Sequence, residues 1–265
     1  MKHANELFQL NGKVAIVTGG RGLYGASISA GLCEMGATVI IASRNGEKCE
    51  EYAAELRSQG YSAKGLPLDL NDDASIRVLV ETVIREYGKI DILVNNAVDR
   101  RNLRTLEKAT RETLQASAST NLNGQILLSQ AVLCHMVQAK SGSIINISSM
   151  RGLDCPHFPF YPESMENEVN YTTEKWALVG LTKYMAGCYG KYHIRVNCIA
   201  PGGFNPGMAE NEDGNPFMRT YIENCPLGCW ANEDDIKGPI VFLASEASNY
   251  VTGATIVMDG GWTIW

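Results

Sequence analysis

Seven short runs rich in valine and isoleucine alternate along the chain with longer stretches of helical periodicity. Short runs that are apolar throughout are typical of strands covered by helices on both faces. Alternating strands and helices favour right-handed crossovers, so the pattern predicts an α/β fold with a doubly wound, mostly parallel, Rossmann-like sheet. The predicted strands are Val14–Thr18, Thr38–Ser43, Ala63–Leu68, Ile92–Asn95, Ser143–Ser148, Ile194–Ala200 and Thr255–Met258. The clearest helical patterns are Gly25–Met35, Asp72–Tyr87, Leu122–Gln138 and Tyr171–Tyr189.

Length and composition indicate a single globular domain over residues 1–265. Hydrophobic residues make up 45% of the chain and charged residues 20%, and we find no linker or internal repeat. No segment approaches the ~20 apolar residues of a membrane-spanning helix. The first ten residues lack the apolar block of a signal peptide. These features predict a cytoplasmic protein without a membrane partner.

Charge and cysteine content narrow the possible partners. Acidic residues outnumber basic ones by 29 to 23, and no run of lysine or arginine stands out, so a nucleic-acid partner is disfavoured. The eight cysteines form no Cys-x-x-Cys pair. We interpret them as reduced thiols, and we expect neither a disulfide framework nor a metal site.

A glycine-rich loop follows the first predicted strand and leads into the first helix. Gly19, Gly22 and Gly25 allow positive φ angles and let a pyrophosphate approach the backbone, with Arg21 and Leu23 between them. The N-terminus of the helix supplies amide groups and a favourable dipole. Tight turns also need glycine, but the position between a first strand and a first helix predicts a dinucleotide-binding loop.

The residues that end the second predicted strand indicate which dinucleotide binds. An acidic side chain there would accept hydrogen bonds from the ribose hydroxyls of NAD, whereas this chain has Ser43 and Arg44. Arginine pairs well with a 2′-phosphate, and Arg21 could reach the same group. The sequence therefore predicts NADP(H) rather than NAD(H). The alternative is that both arginines are solvated surface charges.

A phenol and an ammonium group, those of Tyr171 and Lys175, lie four residues apart and hence on one face of a predicted helix. Free tyrosine is a poor base at neutral pH, and a nearby positive charge favours its phenolate form. Ser149 follows the fifth predicted strand and supplies a hydroxyl for a substrate oxygen. A lone Tyr-x-x-x-Lys pair is common by chance, but this arrangement predicts a proton-transfer site.

From Leu10 to Trp265 the chain resembles the short, single-domain branch of the short-chain dehydrogenase/reductase family. Its C-terminal Asp-Gly-Gly-Trp and the long segment before Tyr171 are similar to members of the gluconate 5-dehydrogenase type, which act on sugar acids or polyols. The resemblance implies an enzyme that assembles as a homotetramer or a dimer. The matching motifs occur in family order and are the glycine loop, Asp69, Asn95-Asn96-Ala97, Ser149, Tyr171, Lys175 and Pro201-Gly202.

The resemblance implies a role for each matching residue. Tyr171 would exchange a proton with the substrate oxygen, Ser149 would orient that oxygen, and Lys175 would bind the nicotinamide ribose. Asn121 would hold a water molecule in the proton relay, and Asp69 would contact the adenine ring. Taken with the glycine loop, the expected cofactor contacts are Gly19, Arg21, Gly22, Leu23, Gly25, Ser43, Arg44, Asp69, Leu70, Asn95, Ala97, Tyr171, Lys175, Pro201 and Gly202.

The chain departs from the family pattern at three points. Its glycines have the spacing of the longer, epimerase-like branch, which keeps an epimerase or dehydratase open. Val98 replaces the usual glycine after Asn-Asn-Ala and would narrow the pocket there. Pro206 stands about where a threonine that contacts the nicotinamide carboxamide is expected, so no such contact is predicted.

Two segments are expected near the substrate. An insertion over about 153–170 joins Ser149 to Tyr171, and a lid is expected over about 204–225. The insertion is rich in proline and aromatic residues and could form a pocket wall, or else a surface or subunit-interface element. A carboxylate or phosphate on the substrate could pair with one of four nearby arginines, Arg100, Arg101, Arg104 and Arg151.

Besides an epimerase or dehydratase, the sequence leaves three functions open. The first is hydride transfer between NADP(H) and a secondary alcohol or ketone, of the sugar-acid or polyol type. The second is reduction of a hydrophobic ketone, a steroid or an acyl compound, by the same cofactor. The third is a non-enzymatic regulator that senses nucleotides, which would be expected to lose Ser149, Tyr171 or Lys175, yet all three are present.

Overall fold

Seven parallel strands form one sheet in the computed structural model, which describes residues 1–160, 168–205 and 216–265. The strand order is β3-β2-β1-β4-β5-β6-β7, and helices cover both faces. This is the predicted doubly wound α/β fold. The strands are β1 (Val14–Thr18), β2 (Thr38–Ser43), β3 (Ser62–Pro67), β4 (Ile92–Asn95), β5 (Gly142–Ile147), β6 (Ile194–Pro201) and β7 (Thr255–Met258). Helices in the described ranges are α1 (Ala4–Leu7), α2 (Leu23–Glu34), α3 (Gly46–Ser58), α4 (Asp73–Tyr87), α5 (Arg111–Ala118), α6 (Gly124–Ala139), α7 (Val169–Tyr189), α8 (Pro216–Asn224) and α9 (Lys237–Ala244).

Most predicted bounds agree with the structure. Strands β1, β2, β4 and β7 match residue for residue, while β3 and β5 each begin and end one residue earlier than predicted. Helix α2 begins at Leu23, two residues before its predicted start, because Gly22 is its N-terminal cap. Helix α7 begins at Val169, so Tyr171 lies in its first turn.

Alternating side chains along the central strand β1 enter two separate cores. Ala15 and Val17 pack with Leu32 of α2 on one face of the sheet. Ile16 packs with Leu128 of α6 on the other face. All five side chains are fully buried. Burial on both faces explains why this strand is apolar at every position instead of alternating with polar residues.

The strand order reverses at β1, which pairs with β2 on one side and with β4 on the other. Connections that leave these strands diverge, so a crevice opens at the carboxyl ends of the strands, where ligands bind in sheets of this type. The glycine loop follows β1, residues Asn96 and Ala97 follow β4, and Ser149 comes shortly after β5. The fold therefore gathers the predicted site residues at one edge of the sheet.

Within the described residues, no helix is both long and apolar enough to cross a membrane, and no cluster of acidic, histidine and cysteine side chains could hold a metal ion. All eight cysteines fall within the described ranges and are free thiols. The expected insertion and lid are described only in part, because 161–167 and 206–215 lie outside the described residues. The same holds for Pro206.

Candidate active site

The glycine loop requires its glycines for steric reasons. Gly19 has a φ of +63°, in the region that favours glycine. A Cβ atom at position 25 would lie 2.0 Å from the carbonyl oxygen of Gly19, far inside van der Waals contact. The backbone amide of Gly22 donates to the same oxygen at 2.9 Å, and Gly22 is also the N-terminal cap residue of α2. The predicted loop is thus a tight turn that presents the first amides of α2 to the crevice, as a pyrophosphate requires.

Two polar residues bind this loop to the segment that follows β4. The sequence analysis did not single out either of them. The hydroxyl of Thr18 accepts from the backbone amides of Asn96 and Ala97, both at 3.0 Å. The side-chain amide of Asn96 donates to the carbonyl oxygens of Thr18, at 2.9 Å, and Gly19, at 3.2 Å. Thr18 directly precedes the predicted glycine loop, and Asn96 lies inside the predicted Asn-Asn-Ala motif. The sequence therefore drew attention to both places, but it did not show that the two residues bond to each other's segments.

Asn95, a predicted cofactor contact, points its side chain away from the crevice. The side chain is fully buried, and its amide nitrogen donates to Ser129 on α6 and to Asn146 on β5, each at 2.9 Å. These bonds hold β4 to its neighbours. If Asn95 contacts a cofactor, it does so through its backbone atoms.

The end of β2 carries the predicted cofactor-selecting pair. The Ser43 hydroxyl lies 2.9 Å from the sulfur of Cys49. The guanidinium of Arg44 is 53% exposed and lies 3.4 Å from the buried carboxylate of Asp99. A second ion pair, with Arg101, lowers the pKa of Asp99 below its usual value. Arg44 therefore sits at the crevice with its charge facing solvent, and Arg21 is exposed on the glycine loop.

The predicted adenine-binding residues follow β3. The Asp69 carboxylate accepts from the backbone amide of Asn71 at 2.9 Å, and its own amide donates to the Ser75 hydroxyl at 2.9 Å. Leu70 is buried. A Cβ atom at position 124 would lie only 2.3 Å from the carbonyl oxygen of Leu70, so the two backbones approach closely here. This turn is rigid and adjoins the start of α6.

Ser149, Tyr171 and Lys175 converge at the carboxyl end of β5. The Ser149 hydroxyl accepts from the amide of Arg151 at 3.2 Å and is nearly buried. The Lys175 ammonium donates to the carbonyl oxygen of Ile147 at 2.8 Å and lies 5.6 Å from the Tyr171 ring centroid. Burial lowers the pKa of Lys175, and the nearby Tyr171 opposes that shift. The Lys175 ammonium group therefore lies close to the Tyr171 phenol, the arrangement that the proton-transfer prediction requires.

Asn121 occupies a single turn of π-helix, Ser119–Asn123, between α5 and α6. Its side-chain oxygen accepts from the Asp99 amide at 2.7 Å, and its side-chain nitrogen donates to the Asp99 carbonyl at 3.0 Å. The same nitrogen donates to Glu174 at 2.9 Å. Turns of this kind are frequent at functional sites. Asn121 thus links the loop after β4 to the catalytic helix α7.

Glu174 is a third residue that the sequence analysis did not single out. It lies between Tyr171 and Lys175 in sequence and is buried; one carboxylate oxygen is bonded to Asn121, and the other has no partner among the described residues. Burial raises the pKa of Glu174, and the bonds to Ser117 and Asn121 only partly offset this. Its position three residues after Tyr171, on nearly the same helix face, was the available signal.

Replacing Glu174 with glutamine is expected to raise the melting temperature at pH 8, and the gain should shrink as the pH falls towards about 4, near the ordinary glutamate pKa. A carboxyl whose folded-state pKa is raised stabilises the fold fully below its unfolded pKa and loses that contribution as pH rises through the folded pKa. The glutamine keeps an acceptor for Asn121 and removes the buried charge. Thermal unfolding of both proteins across this pH range measures the effect.

The matched control for this comparison is Glu81→Gln, at an exposed position of α4, which should leave the pH profile unchanged. A Glu174→Gln protein that is less stable than the parent at pH 8 would show that hydrogen bonds to the carboxylate outweigh its burial.

Of the four candidate substrate arginines, Arg100 contacts the ring of Tyr171, the predicted catalytic residue. Its guanidinium carbon lies 5.2 Å from the Tyr171 ring centroid, and the side chain is exposed. Arg101 instead pairs with Asp99, and the guanidinium of Arg104 donates to the backbone oxygens of Arg101 and Leu103. Only Arg100 of these three therefore has its cationic group at the mouth of the site.

An aromatic cluster lies beside Ser149 and consists of Phe217, Tyr221, Trp230 and Trp262, packed with Met150. The rings of Tyr221 and Trp262 stack with centroids 4.3 Å apart. The hydroxyl of Tyr221 accepts from the amide of Gly203 at 3.0 Å, which fastens the segment after β6. His157, in the described part of the insertion, lies 5.8 Å from the Trp262 ring. The insertion thus begins against this cluster.

Comparison with known proteins agrees with this geometry. The model of a family described as enoyl-(acyl carrier protein) reductase matches residues 21–263. The chain is 33% identical to a D-threitol dehydrogenase of Mycolicibacterium smegmatis, with full coverage of both chains. A gluconate 5-dehydrogenase from Burkholderia cenocepacia, solved in complex with NADP and tartrate, has a TM-score of 0.89 and 33% identity over 99% of this chain and 100% of its own. A short-chain type dehydrogenase/reductase from Mycobacterium marinum has a TM-score of 0.86 and 30% identity over 99% of each chain.

The fold and these matches define a dehydrogenase/reductase, and the chain belongs to the short-chain dehydrogenase/reductase family. It is an oxidoreductase, as predicted, and the non-enzymatic alternative is excluded.

Proposed function

We propose that this enzyme transfers a hydride between NADP(H) and a secondary alcohol or ketone of a polyol or a sugar acid. The observation that carries the proposal is the convergence of Ser149, Tyr171 and Lys175 on the crevice that the glycine loop borders. The predicted cofactor is the one bound in the Burkholderia neighbour, and the similar proteins act on threitol and gluconate.

The residues at the crevice fit a phosphorylated dinucleotide. The turn at Gly19 leaves no room for side chains and so brings backbone amides close to a pyrophosphate. Arg44 and Arg21 provide positive charge at the exposed edge, where a 2′-phosphate can pair with a guanidinium. When bound, the dinucleotide would supply or accept the hydride.

The chain's own residues would handle the proton. In reduction, the Tyr171 hydroxyl would give its proton to the carbonyl oxygen of the substrate, and in oxidation the phenolate would take it back. The Ser149 hydroxyl would donate a hydrogen bond to the same oxygen. The Lys175 ammonium, held by the Ile147 carbonyl, would stabilise the phenolate between the two directions.

Arg100 favours an acidic substrate over a neutral one. Its cationic group lies against the ring of Tyr171, so it adjoins the position of the reacting carbon. A carboxylate elsewhere on a sugar acid could form a charge-assisted pair with it. A neutral polyol would gain no such contact.

The aromatic cluster favours a second candidate, a reductase of a hydrophobic ketone. Tyr221, Trp230 and Trp262 provide a wide apolar wall close to Ser149, which a steroid or an acyl chain could contact. The description of the matching family, an enoyl reductase, is compatible with an acyl substrate.

A panel assay separates the two candidates. NADP⁺ reduction is measured with threitol-like polyols and with sugar acids, and NADPH oxidation is measured with steroid ketones and acyl ketones. The proposal expects the highest kcat/KM in the first group. Higher kcat/KM for the apolar ketones would overturn it in favour of the second candidate, and no turnover with any secondary alcohol or ketone would overturn both.

We also propose a homo-oligomer, a tetramer or a dimer, in a cytoplasmic setting. Large apolar side chains are exposed on α6 and α7, which supports a second copy of the chain as their cover; they are Ile126, Leu127, Trp176 and Tyr184. Light scattering after size-exclusion chromatography tests this proposal, and a monomer would contradict it.

A further inference from the structure

Tyr24 joins the glycine loop to the segment that follows β6. It lies in the first turn of α2, two residues after the capping glycine. Its ring stacks on the ring of Phe204, with centroids 4.4 Å apart and an interplanar angle of 29°. The phenol is therefore held between the two segments that border the nicotinamide side of the crevice, in the cofactor arrangement proposed above.

The hydroxyl of Tyr24 is buried and has no hydrogen-bond partner among the residues that the structure describes. Burial raises the pKa of this phenol, and the nearby Tyr221, Asp235 and Tyr171 raise it further. The group is therefore a neutral O–H donor at any physiological pH. The ring of Phe204, on which it stacks, follows the predicted cofactor contacts Pro201 and Gly202 at the end of β6, which places the phenol on that side of the crevice.

A hydroxyl in this state serves no purpose in packing. A phenylalanine would fill the same space and stack equally well on Phe204, without the free-energy cost of an unmade hydrogen bond. Other buried tyrosines in the chain show the ordinary arrangement. The hydroxyl of Tyr52 donates to the Ala26 carbonyl at 2.9 Å, and that of Tyr221 accepts from the Gly203 amide.

We propose that the Tyr24 hydroxyl donates a hydrogen bond to the carboxamide oxygen of the bound nicotinamide and so fixes the orientation of that ring. The inference rests on the dinucleotide cofactor of the proposed function. The glycine loop fixes the pyrophosphate, and Tyr171 fixes the reacting carbon, so the nicotinamide must lie between them, beside Tyr24. The carboxamide oxygen is the strongest hydrogen-bond acceptor of the nicotinamide group. Because this oxygen is neutral, a neutral donor suits it. Tyr24 is thus a positioning residue for the hydride-transferring ring.

Binding measurements with Tyr24→Phe test this contact without relying on turnover. Isothermal titration is carried out with NADPH, with NADH and with 2′,5′-ADP, which has the adenosine and the 2′-phosphate but no nicotinamide. Loss of one neutral hydrogen bond is expected to weaken NADPH binding by about 2- to 12-fold. The affinity for NADH should fall by the same factor, and that for 2′,5′-ADP should not change. The melting temperature of the free protein should stay the same or rise.

The matched control is Tyr52→Phe, which removes a satisfied hydroxyl from the same helical layer. It should lower the melting temperature and leave all three dissociation constants unchanged. Unchanged NADPH and NADH affinities in Tyr24→Phe would overturn the inference, and equal losses for 2′,5′-ADP would show that the whole loop had shifted. If the parent protein binds no dinucleotide at all, it is the proposed function that fails.

Discussion

Replacing Tyr171 with phenylalanine is expected to lower kcat by at least about 100-fold, the low end of what general acid–base catalysis contributes. Only the hydroxyl is lost, so the ring should keep its contacts with Arg100 and with Lys175. The dissociation constant for NADPH should therefore change little. Steady-state kinetics and calorimetric titration measure the two quantities separately.

Tyr250 offers a control, because its side chain is fully exposed and lies outside both the proposed site and the proposed subunit contact. Tyr250→Phe should turn over at the parent rate, which excludes a general effect of removing a tyrosine hydroxyl. Near-normal kcat in Tyr171→Phe would remove Tyr171 from the proton transfer. The proposed mechanism would then lack the group that donates a proton to the substrate oxygen.

Replacing Arg44 with alanine is expected to weaken NADPH binding by about 1.5–3 kcal/mol, the scale of a charge-assisted hydrogen bond. This corresponds to about a 10- to 150-fold increase in the dissociation constant. NADH has no 2′-phosphate, so its affinity should be nearly unchanged. The side chain is half-exposed at the crevice and can pair with a phosphate there. Titration of both dinucleotides into the parent and the variant measures the difference.

Arg85→Ala is the control for this substitution, because Arg85 is an exposed arginine on α4, outside the proposed site. It should not change either affinity. Equal losses of NADPH and NADH binding in Arg44→Ala would show that Arg44 does not recognise the 2′-phosphate. A parent protein that prefers NADH would overturn the NADP(H) proposal itself.

The fold could be predicted from the sequence because its central strands are buried on both faces. Burial makes each of them an apolar run, as in β1, and the glycine turn that ends it is also required sterically. The proximity of the two proposed catalytic residues on α7 was predictable for a similar reason. Tyr171 and Lys175 are neighbours on one helix, so their proximity follows from local geometry.

Residues whose function depends on contacts distant in sequence could not be predicted in the same way. Tyr24 carries a hydroxyl whose isolation is visible only once the segment at Phe204 packs against it. Glu174 meets Asn121 across a separation of 53 residues, and the sequence contains no periodic pattern for such a pair. Asn95 shows the opposite case, because a residue inside a recognised motif turns its side chain into the sheet.

The ion pair of Arg44 with Asp99 has a consequence for changing the coenzyme preference of this enzyme. The Asp99 carboxylate contacts Arg44, while the Asp99 backbone binds Asn121, so one residue adjoins both the coenzyme-selecting arginine and the proton-transfer side of the crevice. A substitution at position 44 takes a cation away from a buried carboxylate. Arg101 still pairs with that carboxylate, so a redesign towards NADH can begin at position 44 alone. If position 99 is changed as well, the effects of the two changes on stability and on turnover would not be additive, because the two residues are in contact.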